Sequence, residues 1–154
     1  ETHLASTFDV LGLIAAKIIG SLNAEIETAE CSRAMLRPPN SLNAWEAHHR
    51  GLWHMYRFTG PDNERAQQYF GRAIKLDPTF SRAYAGLSFT HWQNAFHFKP
   101  ADRQSEEDRA FDAAGRSLLA DHRDPAAHWA MGRALWLRRD DAASLRELDC
   151  RPAM

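Results

Sequence analysis

The side chains most often used for metal binding or nucleophilic chemistry are, in this chain, eight histidines and two cysteines. Three histidines lie close together, at His48, His49 and His54. Two metal ligands on one face of a helix need to be three or four residues apart. His54 follows the other two by six and five residues. We therefore interpret these histidines as packed or surface residues and predict no metal site.

The remaining candidates for chemistry lead to the same interpretation. His91 and His97 are six residues apart, and His122 and His128 lie on opposite sides of a predicted turn. Nucleophilic catalysis needs a serine or cysteine beside a positioned base, and no such pattern surrounds Cys31. The sequence predicts no catalytic residue and no cofactor.

Composition limits the classes of partner and compartment. The chain has 154 residues, 25% of them charged, and a formal net charge of −1, which gives no electrostatic case for nucleic acid or an anionic membrane. The longest apolar run, Val10 to Ile19, contains Lys17 and is too short to span a bilayer. The two cysteines form no disulfide framework, and the start lacks the basic residues of a signal peptide. A cytoplasmic location is expected, and the absence of an initiating Met suggests a fragment of a longer protein.

Helical periodicity dominates the chain, and no stretch alternates as a strand does. From Phe8 to about Leu36, apolar residues recur every three or four positions, which predicts one long helix with a possible break at Gly20. The proline pair at 38–39 ends this helix. Six shorter helices follow, predicted at about 45–58, 64–76, 80–96, 106–120, 126–138 and 142–149.

Residues with capping side chains mark the starts of these helices. Ser41 or Asn43 precedes the first short helix, and Asp62 precedes the second. Ser105 followed by Asp108 resembles a capping box. Asp124 followed by Pro125 is typical of another helix start. The fold class predicted is all-α, a stack of helix–turn–helix repeats with a long N-terminal helix.

Small residues recur at matching places in the three helical hairpins. Gly51, Ser88 and Gly132 align on the first helices, and Ala66 with Phe70 gives the clearest pattern on a second helix. This pattern resembles the tetratricopeptide repeat, a unit of about 34 residues in which small side chains let helices cross closely. The resemblance implies an N-terminal helical segment, 1–40, followed by repeats at about 41–79, 80–123 and 124–154, the last incomplete.

A narrower resemblance covers the chain from Ala29 through the proline pair to Pro78. Asn43-Ala44-Trp45, Arg50-Gly51 and Arg57-Phe58-Thr59 are similar to the repeat region of bacterial multidomain regulators. In those proteins such repeats follow a class III adenylate cyclase domain or a winged-helix DNA-binding domain. The resemblance therefore implies a regulatory segment whose output domain lies upstream.

Tetratricopeptide stacks present the first helix of each hairpin on a concave surface. With Gly51, Ser88 and Gly132 as registers, an apolar groove rich in aromatic residues is predicted. Exposed apolar surface of this kind marks contacts. The predicted groove residues are Trp45, His48, Leu52, Met55, Tyr56, Arg82, Ala85, Phe89, Trp92, Gln93, Trp129, Arg133, Trp136 and Leu137.

Two occupants of this groove stay open from the sequence. The first is a protein or peptide partner, either an amphipathic helix or an extended apolar segment. The second is self-contact, by the helix 8–36 of the same chain or by a second copy in a homo-oligomer. The function predicted is a non-catalytic module for protein–protein interaction or oligomerisation. The alternative is a metal- or ligand-binding helical protein, or an enzyme, that uses the surface rich in histidine and tryptophan.

Overall fold

The computed structural model describes residues 2–36, 42–98 and 101–149, and every regular element in these ranges is helical. The predicted all-α fold is therefore confirmed. Seven α-helices and one π-helical segment succeed each other in the described ranges: α1 (Thr2–Leu36), α2 (Ala44–Met55), α3 (Gly60–Leu76), α4 (Ser81–Gln93), the π-helical segment Asn94–Phe98, α5 (Arg103–Ala120), α6 (Pro125–Leu137) and α7 (Asp141–Leu148).

The six short helices pack as three hairpins in two layers. α2 packs against α3, α4 against α5, and α6 against α7. The hairpins stack because α4 contacts both α2 and α6, while α3 and α5 each contact the first helix of the following hairpin. α2, α4 and α6 therefore form one layer, which is called the inner layer below.

Close helix crossings explain the small residues of the inner layer. The Phe70 ring of α3 is fully buried between Gly51 and Gly86. A Cβ atom would lie 2.7 Å from this ring at Gly51 and 2.6 Å at Gly86, closer than van der Waals packing allows. Gly132 meets Leu148 of α7 in the same way, and the Ser88 hydroxyl donates a hydrogen bond to the Ala110 carbonyl of α5. The three aligned small residues therefore each contact the second helix of their own hairpin.

Two of the predicted caps are where the sequence placed them. Asn43 accepts a hydrogen bond from the Glu46 backbone N–H, and the Glu46 carboxylate accepts one from the Asn43 N–H, which forms a capping box. Asp124 caps α6 with Pro125 in the first turn. Ser41, the alternative cap for α2, lies outside the described residues, as do the proline pair at 38–39 and residues 150–154.

Two other predicted caps are wrong, because in each case the capping residue lies three residues earlier in the chain. Thr59, rather than Asp62, caps α3, since Thr59 has extended backbone angles and its hydroxyl accepts from the Asp62 N–H. Asp102 caps α5 by accepting from the Ser105 N–H, so Ser105 lies inside the helix. In both cases an oxygen-bearing side chain stands three residues before the predicted cap, and the sequence pattern cannot choose between the two.

The predicted helix 80–96 divides into two kinds of helix. α4 ends at Gln93, and the π-helical segment continues the chain to Phe98. The buried Asn63 side chain donates to the Thr90 carbonyl at 2.9 Å and to Asn94 Oδ1 at 2.6 Å. A side chain bound into the hydrogen-bond ladder is a known cause of a local change in helix type. This interaction joins two consecutive hairpins through residues 27 and 31 positions apart, and helical periodicity does not report it.

α1 is continuous through Gly20 and begins earlier than the predicted Phe8. Its C-terminal part packs against α2, where Cys31 and Ala34 are buried and Arg50 donates to the Met35 carbonyl at 3.0 Å. Among the side chains that the structure describes from Val10 to Ile26, the large aliphatic ones are 48% to 66% exposed. In the described part of the chain, no helix combines the length and hydrophobicity needed to cross a bilayer.

Candidate functional site

An open depression lies across the inner layer and is called the groove below. Its volume is about 330 Å³, within the range of sites that hold a small ligand or an anchoring side chain. α2, α4 and α6 supply its floor and walls, and α1 reaches its rim at one point. Its lining residues are Glu27, His48, Leu52, Met55, Tyr56, Phe58, Arg82, Ala85, Gly86, Phe89, Ala126, Trp129 and Arg133.

The groove brings together most of the residues that the sequence placed on the concave surface. The members found in it, besides Ala85, are His48, Leu52, Met55, Tyr56, Arg82, Phe89, Trp129 and Arg133. Tyr56 and Trp129 are the most open of these, at 54% and 56% exposed. Among the described side chains of α1, only Glu27 lines the groove, and the large aliphatic ones between Val10 and Ile26 are exposed, so this part of α1 does not fill it.

Gln93 and Leu137 lie in the core and outside the groove. The Gln93 side chain is fully buried and donates a hydrogen bond of 3.1 Å to the Met55 carbonyl, which ties α4 to α2. Leu137 is 4% exposed in the cluster between the second and third hairpins. Predicting a face from helical registers fails here because α4 and α6 are packed on more than one side.

Trp45 is also outside the groove and fixes the position of α1. Its indole Nε1–H donates to the Glu30 carboxylate of α1 at 3.1 Å, and its ring stacks on Phe80 at 6.0 Å. A second depression is lined by Trp45, Phe80 and Arg82, among others. Arg82 lines both depressions and pairs with Asp124 of the second one at 3.2 Å.

Trp92 and Trp136 belong to an aromatic cluster at one end of the groove. The Trp92 ring stacks on Phe89 at 5.3 Å and on Phe96 at 4.9 Å, and Trp136 lies 5.5 Å from Phe96. The π-helical segment supplies Phe96 and His97 to this cluster. The aromatic cluster is Phe58, Phe89, Trp92, Phe96, His97 and Trp136.

Phe58 connects the groove to the aromatic cluster through an unusual backbone conformation. Its φ is 52°, in the left-handed region that bulky residues rarely adopt. This conformation turns the ring edge-on toward Phe89, at 6.3 Å, and toward His97, at 6.0 Å. Backbone strain of this kind is often found at ligand-binding sites.

Burial sets the charge state of the groove. Burial, with His49 and Arg82 nearby, lowers the pKa of His48 to about 3, so its imidazole is neutral at pH 7. Burial and the Glu27 carboxylate raise the pKa of Tyr56, whose hydroxyl therefore stays protonated. A general base needs a pKa close to the working pH. Neither His48 nor Tyr56 meets this requirement near neutral pH.

Arg133 is the unpaired cation of the groove. Its guanidinium carbon lies 4.3 Å above the centre of the Phe89 ring, a cation–π arrangement. Within the described residues, its Nε has no hydrogen-bond partner, and no ion pair includes it. Burial lowers its pKa, although an arginine stays charged at pH 7. A half-buried cation without a carboxylate is costly, so the groove favours an occupant with negative charge at this point.

Three of the histidines that invited a metal interpretation pair with carboxylates. His54 lies 2.9 Å from Asp62, His91 lies 2.7 Å from Glu106, and His128 lies 2.7 Å from Glu147. Each pair joins the two helices of one hairpin. Over residues 2–36, 42–98 and 101–149, no group of three or more His, Cys, Asp or Glu is placed to hold a metal ion.

Cys31 and His49 form a buried pair, with Sγ 3.7 Å from Nδ1. Burial, together with Glu27 and Glu30, raises the pKa of the thiol to about 11. A reactive cysteine needs a lowered pKa and access to solvent, and Cys31 is 7% exposed. Cys31 is therefore an ordinary buried thiol that helps to pack α1 on α2.

Sequence reasoning missed four residues of the groove, which are Glu27, Phe58, Gly86 and Ala126. Phe58 was assigned to the end of a helix, Ala126 to the start of one, Glu27 to a separate N-terminal segment, and Gly86 to no special position. Gly86 stands two residues before Ser88, and a glycine so near an aligned small residue could have indicated a close crossing. Comparisons of this chain with protein-family models, with curated proteins and with solved structures found no match.

Proposed function

We propose that this chain is a non-catalytic interaction module whose groove binds an apolar helix or segment of a protein partner. The observation that carries the proposal is the open groove across α2, α4 and α6, with Tyr56 and Trp129 more than half exposed beside Leu52 and Met55. Partly exposed aromatic residues with a buried apolar floor are typical of binding hot spots. An amphipathic helix fits this surface by placing apolar residues at i, i+3 and i+4 in it.

The tetratricopeptide resemblance adds to the proposal. Hairpins that cross through Gly51, Ser88 and Gly132 and expose their first helices are consistent with that architecture. As in the bacterial regulators whose repeats this chain resembles, we place the module in a larger signalling or transcription protein of the cytoplasm. Sequencing the reading frame on both sides tests this part: an adjoining cyclase or winged-helix domain supports it, and an unrelated enzyme domain contradicts it.

Selection of helical peptides on the folded chain tests the groove directly. Peptides displayed on phage are enriched on the immobilised protein, then synthesised and measured by calorimetry. We expect them to carry a stripe of apolar residues. Trp129→Ala should weaken them at least tenfold, because an interfacial tryptophan contributes about 2 kcal/mol or more. Trp129 is 56% exposed, so its loss leaves the fold intact.

Leu119→Ala is the matched control for this experiment. Leu119 lies on α5, is 88% exposed and is not part of the groove, so its truncation removes apolar surface elsewhere. The proposal fails when the selected peptides bind the Trp129 variant as well as the control variant. It also fails when an excess of one selected peptide does not protect Trp129 from oxidation.

A further inference from the structure

The exposed part of α1 carries an apolar ridge. Val10, Ile14, Ile18, Leu22 and Ile26 follow one another every four residues and are 48% to 56% exposed. Residues four apart on a helix form a continuous ridge, which is the surface that helices use to pack on each other. Between 10 and 24 the chain has a single charge, Lys17.

A helix of this composition is not expected to remain in water. Leu13 and Ile19 add exposed apolar surface on the other sides of α1, so it is apolar over most of its circumference. The C-terminal part of α1 is covered by α2, and no other described helix makes an extensive contact with it. The described residues therefore leave both the apolar ridge of α1 and the apolar groove uncovered.

The charges of these two surfaces are complementary. Glu25 lies on the ridge side of α1, next to Ile26 and three residues after Leu22, and it is exposed. None of the ion pairs among the described residues includes it. Arg133 is the cation of the groove whose Nε lacks a partner. A carboxylate delivered on an apolar helix satisfies this guanidinium without placing a charge against the tryptophan and leucine surface.

The ridge and the groove together form the surface available for a pair of chains. The five ridge residues of α1 are about half exposed. A standard interface takes ~800 Å² from each partner, and each copy contributes its ridge to one contact and its groove to the other. A two-fold axis repeats each contact, so both ridges and both grooves are covered at once.

We propose that the groove receives α1 of a second copy of this chain, with Glu25 of one copy on Arg133 of the other. The proposal rests on the proposed function of the groove and names its occupant. It accounts for an exposed aliphatic helix, an open aromatic groove and an unpaired arginine in one interface. Exchange of identical helices between copies is a low-cost route to a dimer.

Charge reversal in the full chain tests the pairing. Light scattering and sedimentation equilibrium give the dimer dissociation constant. Glu25→Arg and Arg133→Glu should each weaken the dimer at least tenfold, and the double variant should return it to within about threefold of the original. Glu64→Arg and Arg65→Glu, at exposed positions of α3, are the matched controls and should change little. Single reversals without effect, or a double variant that stays as weak as the singles, overturn the pairing.

Two further variants separate this inference from the proposed function. Ile18→Asp disrupts the ridge, and Trp129→Ala disrupts the groove. The inference requires both to weaken the dimer. When only Ile18→Asp does so, α1 pairs with α1 and the inference is overturned. A chain that is monomeric at all concentrations, yet binds selected peptides through Trp129, overturns the inference and leaves the proposed function standing. If the selected peptides bind the Trp129→Ala variant as tightly as the original chain, the proposed function itself is overturned.

Discussion

At the scale of single residues, Phe70 shows how the stack depends on the absence of side chains. Its ring is fully buried and lies between two glycines of different hairpins, Gly51 and Gly86. One aromatic side chain of α3 therefore sets the spacing both to α2 and to α4. Glycine at both positions allows this close approach of the helices. Protein interiors are close-packed, so an added methyl group would have no free space there.

Substitution of glycine by alanine is expected to change the free energy of unfolding in opposite directions at Gly86 and at Gly71. Gly86→Ala places a Cβ atom 2.6 Å from the Phe70 ring, which cannot move away because it is enclosed. We expect the free energy of unfolding to fall by about 1–3 kcal/mol. Gly71→Ala, on the neighbouring helix α3, meets nothing within 4 Å, so it should raise stability by about 0.5–1 kcal/mol through the lower conformational entropy of alanine. Urea unfolding measures both, and an equal gain in the two variants contradicts the close crossing.

At the scale of helices, a histidine–carboxylate pair closes each hairpin. In the first hairpin, hydrogen bonds from Thr59, His54 and Arg57 lower the pKa of the Asp62 carboxyl to about 2. In the third hairpin the hydrogen bond to Glu147 and the His122 carbonyl raise the pKa of His128. Both nitrogens of His128 face acceptors, at 2.7 Å and 2.8 Å, so its protonated form is favoured. We therefore expect the docking of α7 on α6 to depend on pH.

A raised histidine pKa gives this dependence a definite sign. Protonated His128 stabilises the docking of α7 fully below the ordinary histidine pKa of about 6.5. This stabilisation is lost as the pH rises through the higher pKa that His128 has in the folded state. We expect the amides of α7 to exchange faster at pH 8 than at pH 5.5 after correction for intrinsic rates. The effect should be under about 1 kcal/mol, because the pair is partly solvated. His128→Gln should abolish it.

His122→Gln is the control for this pH dependence. The side chain of His122 is exposed and only its carbonyl contacts His128, so this substitution keeps both interactions of the His128 ring. A pH effect that persists in His128→Gln, or disappears in His122→Gln, assigns the titration to another group and contradicts the argument.

At the scale of the whole molecule, stability is unevenly distributed. The five helices α2 to α6 share buried clusters that run from the first hairpin to the third. α1 shares in them only near Cys31 and continues into a stretch whose aliphatic side chains are exposed. Helical segments of about 12–15 residues without tertiary packing are marginal in water, so the N-terminal half of α1 depends on what covers it.

Hydrogen exchange at two protein concentrations should show this difference. At submicromolar concentration, amides 10–24 should exchange at least about 100-fold faster than buried amides of α3, because local opening there exposes no core. At a concentration well above the dimer dissociation constant, protection of 10–24 should rise while that of α3 stays the same. Equal protection of both regions at the lowest concentration would contradict the uneven distribution. Glu25→Arg should suppress the concentration dependence.

The sequence by itself determined the elements and much of the groove. Spacing of three and four residues from Phe8 to Leu36, and around Ala66 and Phe70, sufficed for the helices, because an amphipathic helix encodes its buried face locally. Asn43 and Asp124 marked helix starts for the same reason: a cap interacts with residues two or three positions away. Small residues at Gly51, Ser88 and Gly132 identified the crossings within hairpins.

Only the tertiary structure decided which residues of the inner layer face the groove. Gln93 is buried through its bond to the Met55 carbonyl, and Trp45 is directed to α1 by Glu30. Trp92 and Trp136 come together with Phe96 of the π-helical segment, where the side chain of Asn63 from α3 binds Thr90 and Asn94. Arg133 of the third hairpin likewise lies over Phe89 of the second. Local periodicity records which face of a helix is apolar, whereas the partners that cover that face are set by contacts between residues far apart in the chain.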